Sequence, residues 1–143
     1  MQARAVGYLA RRDYSRAELR EKLLATGGAR DEVDPVLDAL AAQGYLSDAR
    51  YARAVVRQKS GAFSKRAIAQ TLKAKGVTGD AATEALGENA IDDQDALVAL
   101  WRRRFGRAPA DDREKARQIR FLQSRGFSLS AIFKLLRDPP VEA

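Results

Sequence analysis

The chain has 143 residues, 45% hydrophobic and 31% charged, with a formal net charge of +7 and a pI near 10.0. It contains no cysteine and no histidine, which removes disulfides, thiolate nucleophiles, sulfur-ligated zinc and the side chain best suited to proton transfer near neutral pH. No apolar run approaches the ~18–20 residues that cross a bilayer, and Met1 to Gly7 lacks the apolar stretch of a secretory signal, so the expectation is a cytoplasmic, non-membrane protein with no catalytic, cofactor or metal site.

Helical periodicity runs along the chain, and alternating β-branched runs are missing. A first helix is predicted near 3–12. Tyr14-Ser15 then places an aromatic before a capping serine, and Glu18 completes a capping box, so a second helix starts at 16 and runs to about 26. Gly27 ends it, and a third helix follows near 32–43.

The same grammar returns downstream. Phe63-Ser64 repeats Tyr14-Ser15 49 residues later, and Leu23–Gly27, Leu72–Gly76 and Leu122–Gly126 place glycines 49 and 50 residues apart. Helices are predicted near 48–59, 65–75 and 80–88, then near 94–105, 112–125 and 129–137. Pro109 and Asp111-Asp112 replace the aromatic-serine entry to the last middle helix. Gly87 to Asp95 fits either helix or linker. Repetition at one period predicts an all-α chain of three tandem three-helix units, 1–46, 47–91 and 92–143, in an elongated, curved array.

Charge is unevenly spread. Between Asp48 and Asp80 there is no carboxylate, while Arg50, Arg53, Arg57, Lys59, Lys65, Arg66, Lys73 and Lys75 are all basic. Arg50, Arg53 and Arg57 fall opposite the apolar side formed by Tyr51, Ala52, Val55 and Val56. Arg66, Gln70 and Lys73 form a second stripe, and the turn Lys59 to Lys65 offers backbone N–H groups to a phosphate at a helix entrance. Arg102, Arg103 and Arg104, with Arg107, make a second cluster, beside Trp101 and Phe105, which read as core. These residues are the candidate contacts for a polyanion; they equally fit the solvated faces of amphipathic helices. The acidic stretch Asp80 to Asp95 reads as surface and helix caps, or as a dock for a basic protein patch.

Gly44-Tyr45-Leu46-Ser47-Asp48-Ala49-Arg50-Tyr51-Ala52 resembles the signature of the RecX family, bacterial regulators of the RecA recombinase. Gly44 reads as a helix terminator, Tyr45 and Leu46 as apolar contacts folding back, and Ser47 or Asp48 as the next cap. Arg12 to Ser15 with Glu18-Leu19 and Lys22-Leu23 resembles the family's first motif. Ile68, Leu72 and Lys75-Gly76-Val77 resemble its second, and Leu122 to Ser128 with Ile132 its last. Members often carry two acids where this chain has Ser47-Asp48. The resemblance, from about Tyr8 to Leu136, implies a non-catalytic modulator; a monomer not associated with a membrane is expected alongside it. The resemblance implies binding to the RecA filament groove, with weak, non-specific contacts to single- and double-stranded DNA. It also implies suppression of strand exchange, ATP turnover and co-protease activity. A stand-alone helix-turn-helix DNA-binding regulator and a helical adaptor are the competing readings.

Overall fold

The computed structural model describes residues 1–140. Nine helices account for the regular structure among them: α1 (Gln2–Arg11), α2 (Arg16–Ala25), α3 (Arg30–Ala42), α4 (Asp48–Lys59), α5 (Lys65–Ala74), α6 (Gly79–Asn89), α7 (Asp93–Arg104), α8 (Asp112–Ser124) and α9 (Leu129–Arg137). No strand occurs among the described residues. A lone bridge joins Ser60 and Phe63 across the α4–α5 turn.

Helix ends sit where local chemistry places them. Ser15 accepts from the Glu18 N–H, and the Glu18 carboxylate reaches back to the Ser15 N–H, so both halves of the capping box are formed. Ser47, Ser64, Asp111 and Ser128 cap α4, α5, α8 and α9 in the same one-sided way. The middle helices end on Gly27, Gly76 and Gly126, at φ of 100°, 77° and 93°, a region that favours glycine. The ambiguous acidic stretch divides: α6 continues to Asn89, and Asp92 caps α7 by accepting from the Gln94 N–H.

Helices group in threes around three separate cores. The first is built on Leu19, Leu23, Val33, Leu37 and Leu40. The second is built on Tyr51, Val56, Ile68, Leu72 and Val77, and the third on Leu97, Trp101, Leu122, Ile132 and Leu135. No cluster mixes residues of two groups, so each unit buries its own apolar face and meets its neighbours through joints. Leu46 folds into the first core as expected. Tyr45 does not; it is 54% exposed, because the turn through Gly44 points it outward while Arg50 takes the carbonyls of Gly44 and Tyr45.

The two joints follow one plan. The start of a middle helix sits against the end of the next unit's middle helix. At the first joint, Ser15 Oγ donates to the Lys75 carbonyl at 2.6 Å, and the Arg16 N–H donates to Asp48 at 2.8 Å. At the second, the Ser64 N–H donates to the Arg125 carbonyl at 2.9 Å, and the Lys65 N–H donates to Asp93 at 2.8 Å. The approach is close enough to exclude a side chain. A Cβ on Gly76 would lie 2.5 Å from the Ala17 methyl, and one on Gly126 would collide with Ser64 and lie 2.6 Å from the Ala67 methyl. Around Gly27, by contrast, there is open space.

Gly27→Ala therefore carries only the penalty of positive φ, whereas Gly76→Ala and Gly126→Ala add overpacking of about 1–3 kcal/mol. Urea melts should rank Gly27→Ala as the mildest of the three. Equal losses would mean the joints yield freely.

The first joint also carries charge. Glu18 accepts from Arg12 at 2.9 Å and faces Lys75 Nζ at 3.5 Å. Burial alone would raise the Glu18 carboxyl, but the hydrogen bond and charge of Arg12, the Ser15 N–H and the charge of Lys75 outweigh it and hold the group below its ordinary 4.5. A lowered folded-state pKa gives stability that is present above the unfolded value and is lost as pH falls through the folded one. Glu18→Gln should accordingly reduce stability at pH 7 and flatten its decline below about pH 4.5, read from urea midpoints across pH.

Candidate nucleic-acid interface

Arg53 and Arg57 lie exposed on α4, opposite the buried Tyr51, Ala52, Val55 and Val56. Arg66 and Gln70 are exposed on α5 and line a cavity of about 630 Å³ with Gln94, Gln123 and Ser128, along the second joint. Lys73 lies instead in a hollow of about 320 Å³ at the first joint, beside Glu18 and Glu21. The second stripe thus spans two different electrostatic settings.

Arg50 is committed elsewhere. It donates to Asp13 at 3.1 Å and to the Gly44 and Tyr45 carbonyls at 3.1 and 2.9 Å, tying the start of α4 to the first unit. Nor is the α4–α5 turn a row of free donors. The Ala62 and Phe63 N–H groups bond Lys59, those of Ser64 and Lys65 bond Arg125 and Asp93, and the Ala67 N–H bonds Ser64 Oγ. Ser60 Oγ accepts from Ile91, and the Gly61 carbonyl accepts from Arg103 at 3.4 Å. These N–H groups of the turn are therefore already paired within the protein, at the second joint.

That joint unites basic clusters that are far apart in sequence. Lys59 Nζ lies 4.7 Å from the Phe63 ring, and Arg125 lies 4.7 Å from the same ring and 5.0 Å from that of Phe121. Arg104 lies 5.0 Å from Phe121 and 5.8 Å from Phe105, and the two rings meet edge to face at 5.6 Å. Arg103 reaches Gly61, while Arg102 is exposed at the same helix end. Lys65 is half-buried at the start of α5.

Arg113, Arg117 and Arg120 follow i, i+4, i+7 spacing on α8, a stripe that the sequence reading passed over, and Arg125 lies just past the helix end. A charge count marks the same region: from Arg102 to Arg125 there are nine Lys or Arg against three Asp or Glu, six of the chain's seven excess charges. Arg104, Arg107, Arg113, Arg117 and Arg120 surround a hollow of about 610 Å³ between the α7–α8 loop and α8. Trp101, expected in the core, is buried, and its indole N–H donates to the buried Gln118 at 2.9 Å. Gln118 donates in turn to the Arg107 carbonyl at 3.1 Å, fixing the loop over the hollow. Glu114 is held below its ordinary carboxyl value by the hydrogen bond from Arg117.

Gln118→Leu removes the acceptor of a buried N–H, so it should cost about 1–3 kcal/mol in urea unfolding and release the loop at Arg107. Gln118→Glu keeps the Trp101 acceptor but turns a second oxygen toward the Arg107 carbonyl and Glu114, so its loss should fall below that of Gln118→Leu only at acid pH, where the carboxyl is protonated. Equal losses at acid pH would show that the Trp101 hydrogen bond matters little.

No helix among the described residues is long and apolar enough to cross a membrane, and no group of three or more Asp or Glu is placed to hold a metal ion. The fold and surface define a tandem helical-repeat protein with a basic face concentrated on its second and third units. Family models for the first, second and third three-helix domains of RecX match residues 3–40, 47–86 and 91–136. Regulatory protein RecX of Leptothrix cholodnii is 46% identical over 137 residues, covering 96% of this chain and 87% of that protein. The corresponding protein of Chromobacterium violaceum is 42% identical over 136 residues, covering 95% and 88%. The crystal structure of RecX from Lactobacillus salivarius superposes with a TM-score of 0.74 at 21% identity, covering 96% of this chain and 92% of that one. The chain belongs to the RecX family of regulatory proteins.

Proposed function

We propose that this chain is a non-catalytic, monomeric modulator of the RecA recombinase in the bacterial cytoplasm. It docks in the groove of the RecA–DNA filament, across neighbouring subunits, and suppresses strand exchange, ATP hydrolysis and co-protease activity. The observation that carries this reading is RecX membership across all three units. A linear array of small units suits a helical groove, since each unit can address one position along it. Basic residues on α4, α5, α7 and α8 supply weak, sequence-independent contacts to single- or double-stranded DNA or to acidic filament surface. Their spread over four helices favours this reading over a stand-alone regulator, which would concentrate base contacts on one recognition helix.

Co-sedimentation with RecA filaments, with and without DNA, tests the reading. The chain should pellet with filaments and slow strand exchange; failure to pellet would overturn filament regulation. Arg53→Glu, Arg57→Glu and Arg66→Glu together should leave the fold intact, because all three are exposed. The variant should inhibit poorly and bind DNA with a shallower salt dependence, by about 0.7–0.9 in log–log slope for each phosphate that is no longer neutralised. Normal inhibition by the variant would remove these three residues from the interface.

A further inference from the structure

Arg125, Arg104 and Arg117 are held in an uncommon way. Arg125 and Arg104 each lie 5.0 Å from the Phe121 centroid, so their guanidinium carbons are no farther apart than twice that distance. Arg104 and Arg117 similarly share Phe105, at 5.8 and 5.7 Å. With Lys59 on Phe63, cations and rings alternate from the second unit across α8 to the α7–α8 loop. Among the described residues Arg104, Arg125 and Lys59 form no ion pair; only Arg117 does, with Glu114. Like charges spaced within about a Debye length repel, and the rings offset part of that repulsion through their negative faces. A planar guanidinium held against a ring still has N–H edges that match phosphate oxygens.

The array leads into the arginine-lined hollow, whose wall includes Arg104, Phe105 and Arg117. Five arginines face two carboxylates there. Asp111 is occupied in capping α8, and Glu114 is taken by Arg117. At about 610 Å³ the hollow has the size of a small-ligand site.

We propose that this array and hollow form a track for single-stranded nucleic acid, in which Lys59, Arg125, Arg104 and Arg117 bind successive phosphates and the hollow receives the strand beyond them. A flexible strand bends into such a hollow; a duplex, stiff over many base pairs, does not. Charged grooves with interleaved aromatic rings suit sequence-tolerant strand binding. The proposal deepens the reading above, resting on it only for the choice of DNA as the polyanion.

The test is fluorescence anisotropy of the full chain with oligo(dT), a duplex of equal length, and polyglutamate as competitor, without recombinase. Oligo(dT) should bind more tightly than duplex, and polyglutamate should compete poorly. Arg104→Gln, Arg117→Gln and Arg125→Gln together should lower the salt slope by about 2, at roughly 0.7 per single-strand phosphate contact. Phe121→Leu is the sharper probe, because it leaves the charge unchanged. Loss of the ring that holds two guanidiniums should weaken oligo(dT) binding about threefold or more, with circular dichroism verifying the fold. Duplex binding as tight as oligo(dT), effective competition by polyglutamate, or unchanged binding by the charge variant would each overturn the track. So would a folded Phe121→Leu that binds normally. Because the assay contains no recombinase, its failure would leave filament regulation to be decided by co-sedimentation.

Discussion

The structure depends on a close contact between two helix ends. A middle helix begins with a buried serine, and that serine seats against the glycine-terminated end of the next unit's middle helix. Both ends carry backbone groups that a helix cannot satisfy internally. Here one helix answers the other: Ser15 Oγ reaches the Lys75 carbonyl, and the Arg125 carbonyl takes the Ser64 N–H. An aspartate from the next unit's first helix completes each joint by accepting the first helical N–H. With three cores that share no residues, the relative placement of the units rests on these joints.

Much of this order was legible in the sequence, because helix ends are written locally. A serine followed three residues later by Glu18, or a glycine four residues past a leucine, specifies its own hydrogen bonds within one turn. All nine helices accordingly fall within about two residues of their expected limits. Ser47-Asp48 is instructive, since sequence alone left the cap between them. Ser47 caps α4, while Asp48 serves the preceding unit through Arg16. The second role involves a partner 32 residues away and leaves no local mark.

The candidate surface was less legible for the same reason. Spacing places Arg50, Arg53 and Arg57 away from the apolar side of one helix, yet only the fold reveals that Arg50 meets Asp13 and two carbonyls. The α4–α5 turn looks like an anion cradle in isolation, but the Ala62 and Phe63 N–H groups bond Lys59 within it, and those of Ser64 and Lys65 bond Arg125 and Asp93 beyond it. Conversely, Phe121 precedes Arg125 by one helical turn, but no local pattern announces that Phe63 meets Arg125 from the other side of the joint.

Comparing the joints explains why the basic face gathers at the second. Residues 49 or 50 apart take corresponding places: Tyr14 and Phe63, Glu18 and Ala67, Glu21 and Gln70, Lys75 and Arg125. At the first joint Glu18 faces Lys75 and binds Arg12, so the cations there meet anions inside the protein. At the second, alanine and glutamine stand where the glutamates were, and Arg125 rests on an aromatic ring instead of a carboxylate. The backbone contact is retained while its ionic closure is absent. The first joint is electrostatically complete, whereas at the second no carboxylate among the described residues pairs with Arg125.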